Sequence, residues 1–140
     1  EISGLAAVSR VQIKVTCGPH YERILRQRGL AATTAGRGDS SRGCLAGRSV
    51  LFVSHTGAVF PCGYLPVDCG NILKTPLEEI RRTSPKLAAL ADSVNLKGKC
   101  GVCEYKQVCG GCRARAYAAT QDMLAEEPSC SYTPKGRVRA

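Results

Sequence analysis

Nine cysteines in a chain of 140 residues constrain its fold more than any other feature, because seven of them stand in a fixed order. Cys44 is followed after twelve residues by Gly57 and after four more by Cys62. Cys100 and Cys103 then form one CxxC, Cys109 and Cys112 a second, and Cys130 follows. A CxxC loop aims two thiolates at one ion or cluster while the intervening amides fold around the sulfur. Sulfur ligands select zinc or iron-sulfur clusters over magnesium or calcium. Disulfides fit poorly, since the count is odd and lower than in disulfide scaffolds. A zinc ion on Cys100, Cys103, Cys109 and Cys112 would satisfy a closed tetrahedral site but would leave Cys44, Cys62 and Cys130 unemployed. A dithiol redox site at Cys100-Gly-Val-Cys103 would not need the other cysteines. Spacing alone therefore leaves two readings open, a zinc-stabilised interaction module and an iron-sulfur protein.

Composition narrows the class. The chain is 44% hydrophobic and carries a formal net charge of +9, with basic residues scattered rather than blocked, and it has no Trp. Without a basic stripe interleaved with stacking aromatics, nucleic acid is not an expected partner. Gly57, Pro61, Gly63 and Pro66 interrupt the long uncharged run from Ser49 to Val67, so no membrane span is expected there. Glu1 to Val15 lacks the basic, apolar, small-residue order of a signal peptide, which points to the cytoplasm, and the absent initiator Met suggests a truncated chain. The positive balance suits a polycarboxylate substrate.

Along the chain, Val11, Ile13 and Val15 alternate with polar residues as in a strand. Cys17, Gly18 and Pro19 break it, and a helix is predicted from His20 to Arg28, ended by Gly29. Residues 1–30 thus read as one strand, turn and helix. Residues 31–43 have linker composition, residues 44–132 form the cysteine-rich domain, and 133–140 are a basic tail. Within the domain, Ser49–Val53 and Ala58–Pro61 predict a hairpin turning at Gly57. Thr75, Pro76 and Glu78 signal one helix start, and Ser84 with Pro85 signals another, running from Lys86 to Ser93. Ala-rich Arg113–Ala125 predicts a last helix that buries Ala116, Ala119, Met123 and Leu124. The fold class expected is α+β.

The cysteine order resembles the SPASM domain of radical S-adenosylmethionine enzymes, which holds auxiliary 4Fe-4S clusters. One departure is that Cys109 and Cys112 are separated by two residues rather than three. RGCLAG at 42–47, SHTGAVFPCGYLPV at 54–67, CGVCEYKQVCGGCRARAYA at 100–118 and AEEPSCSY at 125–132 are similar to the branch that modifies siroheme-derived tetrapyrroles in heme and heme d1 biosynthesis. KVTCGPHY at 14–21 resembles the last strand and turn of that family's barrel. The resemblance implies a small SPASM domain, a β-hairpin plus short helices around iron-sulfur clusters, preceded by the last strand-helix unit of a truncated α/β barrel.

The resemblance also implies roles. Cys100, Cys103, Cys109 and Cys130 would surround one auxiliary cluster, and Cys44, Cys62 and Cys112 would be left for another, with Cys69, His55 or an open position as its fourth ligand. A single-cluster domain is equally compatible. Gly101, Gly110 and Gly111 would let backbone amides approach sulfur. Arg113, Arg115, Cys17 and His20 are candidates for contact with substrate, and no catalytic residue is assigned. The family's catalytic cluster motif, CxxxCxxC, does not occur among the nine cysteines. S-adenosylmethionine and its 4Fe-4S cluster would then be bound elsewhere, on a missing N-terminal part, and this chain would be inactive by itself. The expected partners are a tetrapyrrole and an electron donor such as ferredoxin or flavodoxin. A peptide-maturing enzyme of the same family is the alternative in substrate.

Overall fold

The computed structural model describes residues 4, 5, 8–11, 15–30 and 42–136. Helix α1 (His20–Gln27) starts after Pro19 and ends where Gly29 takes φ +67°, as its flanking residues predict. The strand expected before it falls partly outside the described residues. Val11 lies in a bend and Val15 in irregular backbone, and residues 12–14 are not described. The linker at 31–41 and the end of the tail at 137–140 also lie outside.

The hairpin is present. Strands β1 (Phe52–Val53) and β2 (Ala58–Phe60) pair antiparallel, Val53 opposite Val59, around a turn in which Gly57 has φ +80°. Ser54 stabilises the turn, its Oγ accepting from Ala58 N at 3.1 Å. A third strand, β3 (Gly70–Asn71), pairs antiparallel with the other edge of β2, giving the order β1-β2-β3.

Two seven-residue helices follow, α2 (Leu77–Thr83) and α3 (Pro85–Ala91). Thr75 does not cap α2, because the helix starts one residue later than the capping pattern implies. Pro76 occupies the cap, and the Thr75 amide is held by Asn71 O at 3.0 Å. Acidic Glu78 and Glu79 at the start of α2 and Arg81 and Arg82 at its end match the helix dipole. Helix α3 begins at Pro85 and stops at Ala91, short of Ser93. Asp92 leaves the helix and accepts from Val94 N at 2.9 Å, opening a separate 3-10 turn at Ser93–Asn95. Helix α4 (Gly98–Val102) carries Cys100, and α5 (Arg113–Thr120) starts directly after Cys112.

The last helix ends five residues earlier than predicted, so Met123 and Leu124 are not helical. Gln121 turns left-handed, with φ +59°. The buried Arg113 guanidinium takes the Met123 and Ala125 carbonyls at 3.2 and 2.7 Å, which draws the chain back along α5. Capture of carbonyls by a side chain 10 and 12 residues upstream competes with continuation of the helix.

The apolar core is small for the length of the chain. Val59 from β2, Ile80 from α2 and Leu87 from α3 form one buried cluster, with Leu51 and Cys69 packed against it. Leu87→Ala removes most of one of three buried side chains there and is expected to cost about 3 kcal/mol, measurable by urea denaturation. A core this thin leaves the cysteine-rich half to be held by other means.

Candidate metal centre

Four of the cysteines converge. Cys100, Cys103, Cys109 and Cys130 line a single cleft of about 410 Å³, its solvent mouth included, together with His20, Arg23, Lys99, Lys106, Glu127 and Tyr132. Helix α4 carries Cys100 inward and ends at Cys103. A tight turn over 105–108 then returns the chain, with the Cys109 amide bonded to Tyr105 O at 2.8 Å. Gly110 and Gly111 follow, with φ +67° and +63°. A side chain at Gly111 would collide with Arg113 Nη2 and with Glu127, and would press on Cys100 Sγ at 3.2 Å. Two successive left-handed residues, the second with no room for Cβ, favour glycine at both positions.

The sulfurs are surrounded by donors. Glu127 N donates to Cys100 Sγ at 3.3 Å and Tyr105 N to Cys103 Sγ at 3.4 Å, while Arg113 Nη2 stands 3.8 Å from Cys100 Sγ. Burial pushes the Cys109 thiol up to about 11 despite the Gly111 amide beside it, and the neighbouring Cys100 and Cys130 add to the rise. Burial likewise raises Cys103, again with Cys100 and Cys130 contributing. Thiols that crowd in this way keep their protons until a cation displaces them. Among the described residues, no three His, Cys, Asp or Glu side chains converge closely enough to hold a single metal ion. A 4Fe-4S cube places iron and sulfide between its thiolates and needs a wider ligand spacing than a lone tetrahedral ion, for which Zn–S is about 2.3 Å. Four thiols with amide donors beside them are the kind of donor set that such a cube takes.

Cys44 lies next door. It lines an adjoining groove of about 330 Å³, open solvent included, whose walls include Cys109, Lys106 and Gly110, all shared with the first cleft. Burial raises its thiol, the amides of Arg113 and Ala46 oppose this, and nearby Cys112 adds to the rise. Cys62 is half-buried in a bridge to Leu65, after Pro61, whose carbonyl accepts from Gly47 N at 2.9 Å. Cys69 packs against the apolar core, its thiol donating to Val67 O at 3.4 Å, and His55 is exposed in the hairpin turn. Neither lines these two cavities, and Cys62 and Cys112 do not line them either.

The other candidates are placed as follows. Cys17 is exposed with φ +59°, and its carbonyl accepts from Arg115 Nη1 at 3.1 Å. His20 lines the cysteine cleft. Arg113 is only 4% exposed and spends its donors on carbonyls and a sulfur rather than at an open surface. Arg115 forks onto Glu127, with Nε to Oε1 at 2.8 Å and Nη2 to Oε2 at 2.9 Å. Both guanidinium groups thus have partners within the chain, and Arg115 stays partly exposed.

Glu127, at 1% exposure, was not singled out from the sequence, and it binds the site together. Besides Arg115, its carboxylate accepts from Cys112 N at 2.6 Å and Ser129 N at 3.1 Å. Burial pushes this carboxyl up, but the Arg115 fork and the Cys112 and Ser129 amides outweigh it and hold the group below its ordinary range. Its own backbone reaches Cys100 through N and Cys130 through O.

The SPASM iron-sulfur cluster-binding domain matches residues 44–113, half of the chain. The chain belongs to this family. The matched span contains six of the seven ordered cysteines, and Cys130 follows it. The SPASM chain is 52% identical over 132 residues to the AdoMet-dependent heme synthase of Methanosarcina barkeri, covering 90% of this chain and 38% of the relative. It is 50% identical to the enzyme of that name from Nitratidesulfovibrio vulgaris, covering 89% and 36%. The pre-heme d1 synthase of Dinoroseobacter shibae is 37% identical over 95 residues, covering 65% and 24%. The SPASM chain therefore spans little more than a third of the length of the heme synthases it matches. Among the described residues, no helix is long and apolar enough to cross a membrane.

Proposed function

We propose that this chain is the auxiliary iron-sulfur segment of a radical S-adenosylmethionine enzyme that modifies side chains of a siroheme-derived tetrapyrrole in heme or heme d1 biosynthesis. The observation that carries the reading is the single cleft lined by Cys100, Cys103, Cys109 and Cys130. The identity to heme synthases over most of the chain supports the substrate class. These four cysteines would hold a 4Fe-4S cluster, which when bound supplies one-electron transfer or an anchor for substrate. Cys44, Cys62 and Cys112 are the proposed ligands of a second cluster, its remaining position left to substrate or solvent.

The residues of the chain prepare that site in three ways. Backbone amides donate to the sulfurs and favour the more negative, reduced state. The Glu127–Arg115 fork fixes Cys112 relative to Cys100 and Cys130. Lys99 and Lys106 bring positive charge to the cleft while bonded to the Cys130 and Gly101 carbonyls at 3.0 Å. S-adenosylmethionine cleavage would belong to a separate segment bearing CxxxCxxC, with ferredoxin or flavodoxin as reductant and the cytoplasm as location.

Anaerobic reconstitution with iron and sulfide tests this reading. Brown protein is expected, with about four irons per filled cleft and a paramagnetic signal after dithionite. Colourless protein that retains one or two zinc ions would instead establish the interaction module. Titration with a siroheme-derived tetrapyrrole is expected to shift the pigment's absorption. A response only to Cys-rich or Gly-rich peptides would move the chain to the peptide-maturing reading.

A further inference from the structure

Helix α1 lies outside the residues matched by the SPASM domain, yet it forms one wall of the cysteine cleft. His20 and Arg23, three residues apart, share a helix face and both line that cleft. His20 Nδ1 and Arg23 Nε are shielded from solvent and have no hydrogen-bond partner. Elsewhere on the Arg23 guanidinium, Nη1 donates to Gln27 Oε1 at 2.6 Å and Cζ lies 4.5 Å from the Tyr132 ring centroid.

Several contacts hold the helix in place. Gly43 packs so tightly on the Pro19 backbone that no Cβ would fit, and its amide bonds Val108 O at 2.8 Å, just before Cys109. Arg115 ties down the Cys17 carbonyl. Two solvent-shielded polar atoms left unpaired in a well-anchored wall signal a partner that the side chains alone do not supply.

We infer that His20 Nδ1–H and Arg23 Nε–H donate hydrogen bonds to sulfur of the cluster held by Cys100, Cys103, Cys109 and Cys130, and so raise its reduction potential. The inference rests on the proposed role of these four cysteines as ligands. A donor to sulfide or thiolate withdraws electron density and favours the reduced cube. The two lysines of the cleft each give one N–H to a carbonyl, and the two unpaired donors of α1 lie in the same cleft wall. Its two side chains thus tune the cofactor from outside the cysteine motif.

The test uses the full-length protein, anaerobically reconstituted. The relevant paramagnetic signal is the one that Cys103→Ala removes. In protein labelled with 15N-histidine, pulsed EPR of the reduced cluster is expected to show a nitrogen coupling that disappears in His20→Phe. The midpoint potential is expected to fall in His20→Phe, to fall further when Arg23→Leu is added, and to recover in part in His20→Gln, which keeps an N–H. Iron and sulfide content should stay at the wild-type level. A fully loaded wild type with no nitrogen coupling overturns the inference even if the variants fail to fold, and so does an unchanged potential in loaded variants. A wild type without the Cys103-dependent signal overturns the ligand assignment as well, which separates the two failures.

Discussion

Alanine at Cys100, Cys103 or Cys130, one position at a time, is expected to abolish the reduced-cluster signal of the main cleft and remove about four irons per chain. On the proposed assignment, loss of one thiolate exposes an iron to solvent and oxidation. Cys109→Ala should have the widest effect, because Cys109 lines both the main cleft and the adjoining cavity of Cys44. Its thiol, pushed up to about 11 by burial and then by its cysteine neighbours, must release a proton when iron binds. Cys69→Ala is the control, since that side chain packs on the Val59–Ile80–Leu87 core. Iron and acid-labile sulfide assays with EPR read the outcome. Full retention of iron in all four cleft variants would discard the assignment.

Glu127→Ala is expected to destabilise the fold about as much as Leu87→Ala does. It leaves the Arg115 guanidinium without its fork, the Cys112 amide without its 2.6 Å acceptor and the Ser129 amide unpaired. Breaking a largely buried charged pair from one side costs roughly 3–5 kcal/mol. Because Arg115 stays partly exposed, the lower end, about 3 kcal/mol, is expected. The sign of the pH dependence follows from the lowered carboxyl pKa. The fork contributes fully above the unfolded glutamate value of about 4.3, and its contribution is lost as pH falls through the lower folded value. Urea denaturation at pH 7 and at pH 3 checks both points: the gap between wild type and Glu127→Ala should shrink in acid. A gap independent of pH would mean that the carboxylate is not the source of the stability.

Features governed by neighbouring residues were legible in the sequence. Pro19 and Gly29 bracketed α1 and Gly57 marked the hairpin turn, whereas spacing alone grouped Cys109 with Cys112, and only the family resemblance put Cys130 beside Cys100, Cys103 and Cys109. Features decided at a distance were not. Strand β3 is two residues long and exists because Val59 and Ala58 offer a free edge, so no alternation announces it. Helix α4 begins at Gly98, a poor helix former, and takes its place from tertiary bonds such as Lys99 N to the Glu126 carboxylate at 2.7 Å. The early end of α5 depends on Arg113 taking carbonyls from the following loop. Nothing local separates Glu127 from Glu126, yet one is buried against an arginine and the other is half-exposed. Most acceptors of Arg113 and Arg115 lie ten or more residues away, so no local pattern announces these internal bonds.

The return of the chain at Glu127 and Cys130 also bears on biogenesis. During translation Cys100, Cys103 and Cys109 leave the ribosome before the stretch that covers them, since Glu127 N seals Cys100 and Cys130 supplies the remaining sulfur. A nascent polypeptide therefore presents a bare, oxidisable trio. On the proposed ligand assignment, a cluster in this pocket can be completed only once residue 130 has emerged, and air exposure in that interval would oxidise the waiting thiols.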